Sequence, residues 1–420
     1  MEGKYTVEEK KYGLLGKSLG HSYSKEIHQL IGAYSFGMWE KTSKELAEFL
    51  QERNFDGAMV TIPYKEAVLD FVSEMTPEVA LLRSANLLVK GENGVLTAHN
   101  TDLFGFMYMI RRAGISLSGK KVLVLGDGAT GRTVVHGVEK LGAAQVRVAS
   151  RRPKGQVEDN VEKVSYDQGW PQAEIVINST PVGMFPKNGE SLVNLDDFSS
   201  LEAVFDVIYN PLATSLLLQG RDRGLVTGNG LSMLVAQAVR GAEIFLDGKL
   251  PQGKKGEEWI EEILSILTDK LLNLVLIGMP GSGKTTRGKA LAIASGKTWV
   301  DTDSLIEQRA GKTIPQIFLE GGEGLFRHWE GEVAEEFGKK TGQVIATGGG
   351  MVLQQKAMDA LRQNGKVIWV KRPLEELARD GRPLSKDLAT LEEMARHREP
   401  LYRKYSEETL SWQKEKGEEK

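Results

Sequence analysis

The chain has no cysteine. Disulfides and thiolate metal sites are therefore excluded, which suits a reducing compartment and makes the cytoplasm the expected location. Histidine is scarce, with six residues scattered along the sequence, so a zinc site is not expected. No stretch approaches the roughly 18 apolar residues that cross a bilayer. The start, Met1-Glu2-Gly3-Lys4-Tyr5, has no apolar leader, so neither membrane insertion nor export is expected. An excess of charge of one sign is missing too: the net value is −3 over 420 residues, and no long-range field draws the chain to nucleic acid or lipid. There is no internal repeat and no Gly/Ser linker. The length allows about two or three domains, each able to bury a core. The sequence leaves the oligomeric state open, and a homo-oligomer is compatible with it.

Glycine is in excess, at 47 of 420 residues, or about 11% against about 7% in average proteins. Much of it falls in loops where backbone must approach a ligand closely. Two of these loops have recognisable phosphate-binding form. Gly126-Asp127-Gly128-Ala129-Thr130-Gly131 follows the apolar run Val122–Leu125 and has the dinucleotide form G-x-G-x-x-G. Gly278-Met279-Pro280-Gly281-Ser282-Gly283-Lys284-Thr285 follows Leu274–Ile277 and is a full Walker A loop. The first suggests hydride transfer and the second phosphoryl transfer.

From Tyr12 to Val226, short apolar runs alternate with amphipathic stretches, the pattern of βα units around a parallel sheet. The expected strands are Tyr12–Leu15, Ala58–Ile62, Lys121–Leu125, Gln145–Ala149, Ile175–Asn178 and Ala203–Val207. Asp102–Arg112, Arg132–Leu141, Ser232–Leu246 and Glu257–Leu267 read as helices, with only Thr268–Lys270 before the strand of the Walker loop. The strand after the first glycine loop ends at Ser150-Arg151-Arg152. In a dinucleotide fold that end meets the adenosine ribose. An acid there would favour NAD; two guanidiniums can clamp a 2′-phosphate and favour NADP.

Several polar clusters lie outside this unit. They include Ser22-Tyr23-Ser24, Val60-Thr61-Ile62-Pro63-Tyr64-Lys65, Ser84-Ala85-Asn86, Asn100-Thr101-Asp102, Asn178-Ser179-Thr180, Asp206–Pro211 and Met233–Gln237. In this order and spacing they resemble the shikimate dehydrogenase family over residues 10–268. The resemblance implies that Ser22 and Ser24 bind the substrate carboxylate and that Lys65 and Asp102 form the catalytic pair. It implies that Thr61, Asn86 and Gln237 bind ring hydroxyls with Tyr209 nearby. NADP would lie on Gly126, Gly128, Ala129, Thr130 and Gly131, with Ser150, Arg151 and Arg152 at the adenosine end and Asn178, Ser179, Thr180 and Gly230 on the nicotinamide side. The chemistry agrees: reducing a ketone needs a proton donor beside the forming alkoxide, and a lysine held by an aspartate supplies one. Leu87 stands where the family usually has a hydroxyl, a change expected to weaken substrate positioning beside Asn86.

In the second half, the Walker loop is followed by Asp301-Thr302-Asp303, Phe326-Arg327-His328-Trp329-Glu330, Gly348-Gly349-Gly350, Gly381-Arg382-Pro383-Leu384 and Arg398-Glu399-Pro400-Leu401-Tyr402. This set is similar to shikimate kinase over residues 271–405. ATP would be held by Gly278, Gly281, Ser282, Gly283, Lys284, Thr285, Thr286 and Arg382, the last closing from a lid onto the transferring phosphate. Mg2+ would be held by Thr285 and, through water, Asp301. Asp303 would take the proton of the substrate hydroxyl. Arg327 and Arg398 would clamp the substrate carboxylate, Glu330 would hold Arg327, and Gly349 and Gly350 would offer backbone N–H to ring hydroxyls. The lid is short, since only Asp380 and Gly381 separate Arg379 from Arg382.

The fold class implied is α/β throughout. A shikimate-dehydrogenase-like substrate domain (1–105 and 228–268) surrounds a Rossmann NADP domain (106–227), and a P-loop, nucleoside-monophosphate-kinase-like domain (271–420) follows. The expected activities are reduction of 3-dehydroshikimate and phosphorylation of shikimate. Two alternatives stand beside them: a quinate-type NAD dehydrogenase joined to another small-molecule kinase, or a chain with one half serving as an inactive regulatory module.

Overall fold

The computed structural model describes residues 10–20, 22–151, 161–168, 170–377 and 388–411. The chain divides into two compact units: Met1–Val182, Leu192–Tyr209 and Gln219–Ile266 make one; Gly183–Ser191, Asn210–Leu218 and Leu267–Lys420 make the other. Among the described residues, no helix is long and apolar enough to cross a membrane.

The first unit holds two six-stranded sheets. In spatial order the first runs Phe36–Glu40, Tyr12–Gly16, Gly57–Val60, Leu87–Lys90, Leu96–His99, Glu74–Met75. The second runs Val226–Gly228, Ala203–Asp206, Ile175–Asn178, Lys121–Leu125, Gln145–Ser150, Val161–Ser165 and is parallel throughout. A single parallel sheet is thus not what residues 12–226 form. Leu87–Lys90 runs antiparallel to both Gly57–Val60 and Leu96–His99. The reversal is made by Gly91–Gly94, where Gly91 N–H donates to Val95 O at 2.9 Å and Gly94 has φ 74°. Asn93-Gly94 between two apolar runs is a hairpin signal.

Two helices connect the cores. Asp102–Arg112 buries Phe106, Met109 and Ile110 with Val122, Val124, Ile175 and Phe205 of the second sheet. Gly230–Phe245 puts Met233 into that same cluster and Phe245 into another with Tyr12, Leu14 and Phe36 of the first sheet. Asp102, at the head of one helix, and Gln237, midway along the other, are therefore presented between the sheets. Leu87 belongs to the Tyr12–Phe245 cluster and is fully buried. A hydroxyl there would need a partner in an apolar core, so the leucine serves packing and does not disturb Asn86.

His28 also sits in that region. It is fully buried, stacked on Phe36 at 3.9 Å, with Nδ1 at 2.7 Å from the Tyr34 hydroxyl and Nε2 without a partner. Burial lowers its pKa to about 3, against about 6.5 in an unfolded chain. Between those values the unfolded state takes a proton that the folded state refuses. The stabilisation is complete above the unfolded value and is lost as pH falls toward the folded one. The urea midpoint, followed as loss of NADP+-linked activity, should fall on acidification, and His28→Phe should remove up to about 1.4 kcal/mol per pH unit of that slope. An unchanged slope would show that other groups cause it.

The second unit holds a five-stranded parallel sheet in the order Thr298–Asp301, Gln343–Ala346, Asn273–Ile277, Gly365–Lys371, Glu408–Ser411. Asp301 and Leu276 are both in register with Ala346. The Walker loop, Asp301–Asp303 and Gly348–Gly350 thus leave the sheet at one carboxyl edge, where open α/β sheets place ligands. Helix Gly256–Leu271 runs through Thr268–Lys270, which the sequence left as a connector, so only Leu272 precedes the strand Asn273–Ile277.

Candidate active sites

Lys65 follows the turn in which Tyr64 N–H donates to Thr61 O at 3.0 Å, and its own carbonyl accepts from Ala85 N–H at 2.8 Å. Its ammonium donates to Asp102 Oδ2 at 2.6 Å, and both side chains are mostly buried. The other carboxylate oxygen, Oδ1, accepts from Asn86 Nδ2 at 3.0 Å. Asn86 Nδ2 also reaches Thr101 Oγ1 at 2.9 Å and Gln237 Oε1 at 3.1 Å, while Asn86 Oδ1 accepts from Thr101 N–H at 2.7 Å. Lys65, Asn86, Asp102 and Gln237 are therefore one connected network drawn from four elements. Thr101 is a member that sequence reasoning gave no role, although it lies inside Asn100-Thr101-Asp102. Ser22 Oγ donates to Ser24 Oγ at 3.0 Å at the start of helix Ser24–Ile31. The ring of Tyr23, between the serines, lies 5.7 Å from that of Tyr209. Thr61 N–H donates to Leu15 O at 3.0 Å, tying that residue to the end of the neighbouring strand.

The dinucleotide loop opens at Gly126 with φ 108° and its N–H on Ala149 O at 2.8 Å. Gly128 caps helix Ala129–Lys140, whose first turn carries Thr130. A Cβ on Gly131 would collide with the Gly126 carbonyl, so only glycine lets the helix close on the loop. Ser150 ends the next strand with its hydroxyl buried and without a partner, and Arg151 follows, exposed. Burial raises the Tyr166 phenol, with Asp127 adding to the rise and Arg151 opposing it. An open glycine cradle, an unsatisfied hydroxyl and a free-facing guanidinium fit a dinucleotide. Arg152 lies outside the described residues.

The sequence placed Asn178 and Ser179 on the nicotinamide side, but their polar groups are occupied inside the protein. Asn178 is buried; its Nδ2 donates to both Asp206 oxygens at 3.1 Å, and its Oδ1 accepts from Thr180 N and Oγ1 at 3.0 and 2.7 Å. Ser179 Oγ donates to Leu125 O at 2.7 Å and Gly126 O at 3.3 Å. Both side chains brace the loops that follow strands Lys121–Leu125 and Ile175–Asn178. Gly230 packs against the Val207 carbonyl, where no side chain fits.

In the second unit one cavity of about 540 Å3 is lined by Lys284, Thr285, Thr286, Asp301, Asp303, Arg327, Gly349, Gly350 and Arg398, together with Gly281 and Gly283 of the loop. Lys284 Nζ donates to Gly278 O at 2.8 Å and Met279 O at 3.0 Å. Ser282 Oγ is buried without a partner within the loop, which suits an oxygen-rich ligand there. Thr285 Oγ1 donates to Asp301 Oδ2 at 3.1 Å, while Asp301 Oδ1 caps helix Thr302–Ala310 by accepting from Asp303 and Ser304 N–H. Among the described residues no group of three acids or histidines could hold a metal alone. Thr285 and Asp301 fit Mg2+ only with ligand phosphates completing its shell.

Arg327 is gripped by Glu330 and by Glu323, the latter at 2.8 Å, and its guanidinium lies over Gly350. Glu330 is fully buried, with Oε2 also accepting from Gln354 at 3.0 Å and Oε1 unpartnered. Burial pushes its carboxyl up, Arg327 pulls it back, and Asp303 adds to the rise. A Cβ on Gly348 would come within 2.7 Å of Glu330 and 2.8 Å of Asp303, so glycine is what lets both carboxylates stand beside the backbone. Gly348 N–H donates to Thr302 Oγ1 at 3.1 Å, and Gly349 O accepts from Tyr402 OH at 2.7 Å. Thr302, Tyr402, Gln354 and Arg372 have no role in the sequence expectation, and Arg372 also lines the cavity. Arg379 and Arg382 lie outside the described residues.

The substrate-binding-domain model of shikimate dehydrogenase matches residues 14–88, and the shikimate kinase model matches residues 280–419. The shikimate dehydrogenase (NADP(+)) of Caldicellulosiruptor bescii is 35% identical over 259 residues, covering 57% of this chain and 90% of that protein. This chain belongs to the shikimate dehydrogenase family and carries a shikimate kinase domain. The shikimate dehydrogenase (NADP(+)) of Clostridium perfringens strain 13 is 33% identical, covering 60% of this chain and 98% of its own length. Shikimate dehydrogenase 1 of Peptoclostridium difficile superposes with a TM-score of 0.56 at 28% identity, over 61% of this chain and 97% of that one. A chorismate mutase/shikimate 5-dehydrogenase fusion from Clostridium acetobutylicum gives 0.58 at 30% identity, over 63% and 99%. The family's dehydrogenase part thus also occurs joined to a different partner domain.

Proposed function

We propose that this chain catalyses two consecutive steps of aromatic precursor synthesis: NADPH-dependent reduction of 3-dehydroshikimate to shikimate, and MgATP-dependent phosphorylation of shikimate to shikimate 3-phosphate. The first reaction rests on the Lys65–Asp102 pair joined to Asn86 and Gln237. The second rests on the cavity that gathers Lys284, Asp303, Arg327 and Arg398. In this reading substrate binding is assigned to 1–105 and 228–268, NADP binding to 106–227 and the kinase to 271–420.

Bound NADPH would supply the hydride to the carbonyl carbon. Lys65 gives its proton to the forming alkoxide, and Asp102, accepting at both oxygens, keeps the ammonium aimed. Asn86, Thr61 and Gln237 orient ring hydroxyls, and Ser22 and Ser24 take the carboxylate. Tyr209 closes the ring's side together with Tyr23. In the kinase, bound MgATP would supply the phosphoryl group. Asp303 accepts the proton of the attacking hydroxyl, Lys284 offsets charge on the phosphates, and Arg327 and Arg398 hold the carboxylate while Gly349 and Gly350 donate N–H. Thr285 and Asp301 would hold the cation, and Arg382 would approach the phosphate from the lid.

Paired assays on the purified chain with shikimate test this: NADP+ reduction and ADP release should both be seen. Preference for NADH and quinate, or silence in one assay, would replace the reading with one of its alternatives. Cofactor choice has its own test at Arg151. Losing a charge-assisted contact to a 2′-phosphate costs about 1.5–3 kcal/mol. Arg151→Ala should therefore raise the NADP+ KM about tenfold or more and leave the weak NAD+ activity nearly unchanged. Equal loss with both cofactors would remove Arg151 from 2′-phosphate recognition.

A further inference from the structure

Among the described residues Tyr402 is the largest fully buried side chain, yet its hydroxyl reaches the kinase cavity wall. It lies one turn after Arg398 on helix Leu388–Tyr405, and i,i+4 neighbours share a helix face. The Arg398 guanidinium lies beside the phenol, where its charge works against the larger rise that burial gives the phenol pKa, and the phenol donates to Gly349 O at 2.7 Å. The ring is stacked against Trp369 of the strand Gly365–Lys371 at 5.8 Å. The same oxygen stands 3.9 Å from Met279 Sδ in the Walker loop. A ring clamped on its face, with its hydroxyl fixed on Gly349 O, has no freedom to turn. Burial raises the phenol pKa further above its ordinary value, so it remains a donor throughout the working range.

Arg398 is itself largely buried. An arginine carries about 2 kcal/mol of rotamer entropy, and a carboxylate clamp is effective only if that freedom is already lost. Nothing in the glycine strip can do this, since Gly349 has no side chain. Resting on the kinase reading above, we infer that Tyr402 is a positioning residue. Its phenol locks the Arg398 guanidinium to the Gly349 backbone and so sets the grip of the site on the substrate carboxylate.

The test uses the full chain, shikimate and shikimate methyl ester, which lacks the carboxylate charge. The readout is the ratio of kinase kcat/KM for the acid to that for the ester. Tyr402→Phe removes the hydroxyl and keeps the ring. The ratio should fall about tenfold, the worth of a hydrogen bond to a charged group, mainly through the KM for shikimate. The KM for ATP and the dehydrogenase rate should stay at wild-type values. A ratio that falls less than threefold overturns the assignment, whatever happens to overall rate or stability, because a merely structural tyrosine would penalise both substrates alike. Should the variant lose ATP binding, Tyr402→Met, which fills the space flexibly, is read by the same ratio. A wild-type chain that phosphorylates neither compound would sink the functional reading itself, whereas an unchanged ratio in an active variant sinks only the role of Tyr402.

Discussion

Lys65→Ala should lower kcat for NADP+-linked oxidation of shikimate by roughly 10²–10⁴, the usual span for a general acid/base. The size follows from where the ammonium is held. Lys65 Nζ is 2.6 Å from Asp102 Oδ2, and the second oxygen of that carboxylate is fixed by Asn86. Alanine leaves no other side chain of this network able to donate a proton of comparable acidity, because Asn86 and Gln237 are amides. Substrate binding should suffer less, since Ser22, Ser24, Thr61 and Gln237 remain. The kinase rate, measured on the same preparation, should be unchanged and shows that the chain is folded. A variant with near-normal kcat and only a raised KM would make Lys65 a binding residue. Asp102→Asn should show the related signature: an amide keeps the shape but removes the carboxylate that accepts from the Lys65 ammonium at 2.6 Å, so kcat should fall more than KM rises.

Asp303→Asn should greatly reduce phosphoryl transfer to shikimate, by about 10²-fold or more if proton acceptance contributes its usual share, while MgATP still binds. Asp303 stands at the head of helix Thr302–Ala310, on the cavity wall beside Gly348 and the buried Glu330. On the proposed reading nucleotide affinity rests instead on Lys284, Thr285 and the loop, which this substitution leaves in place. Titration of a fluorescent ATP analogue should therefore give wild-type affinity for a protein that releases little ADP. Original-rate phosphorylation by the asparagine variant would pass the role of base to another group, and loss of ATP affinity along with rate would place Asp303 among the cation's holders. The dehydrogenase of this variant should be untouched.

The parts legible in the sequence were those whose physics is local. A glycine loop between an apolar run and a helix is recognisable because positive φ and close backbone approach are demanded within six or eight residues, as at Gly126 and Gly131. Strand Lys121–Leu125 and helix Asp102–Arg112 fall where their apolar periods put them. The motif residues also proved neighbours in space: Lys65 with Asp102 and Asn86, and Lys284 with Asp303 and Arg327. What period alone hid was strand direction. Leu87–Lys90 is apolar in either sense, and only its pairing with Gly57–Val60 and Leu96–His99 makes it antiparallel.

Side-chain assignments were a different matter, because a motif names a residue without saying which way it faces. Asn178 ends its strand and Ser179 follows it, as the sequence expected, and their side-chain hydrogen bonds go to Asp206, Thr180 and Leu125. Leu87 looked like a loss to the site and is core. Thr302, Gln354 and Tyr402 carried no signal beyond their neighbours, since each acts through a partner far along the chain: Gly348, Glu330 and Gly349. The sequence by itself determined the two chemistries, because each depends on short patterns that set backbone shape and supply the reactive groups. Tertiary structure alone decided what holds those groups in place, because a buried hydroxyl or amide finds its partner through packing between elements that are remote in sequence.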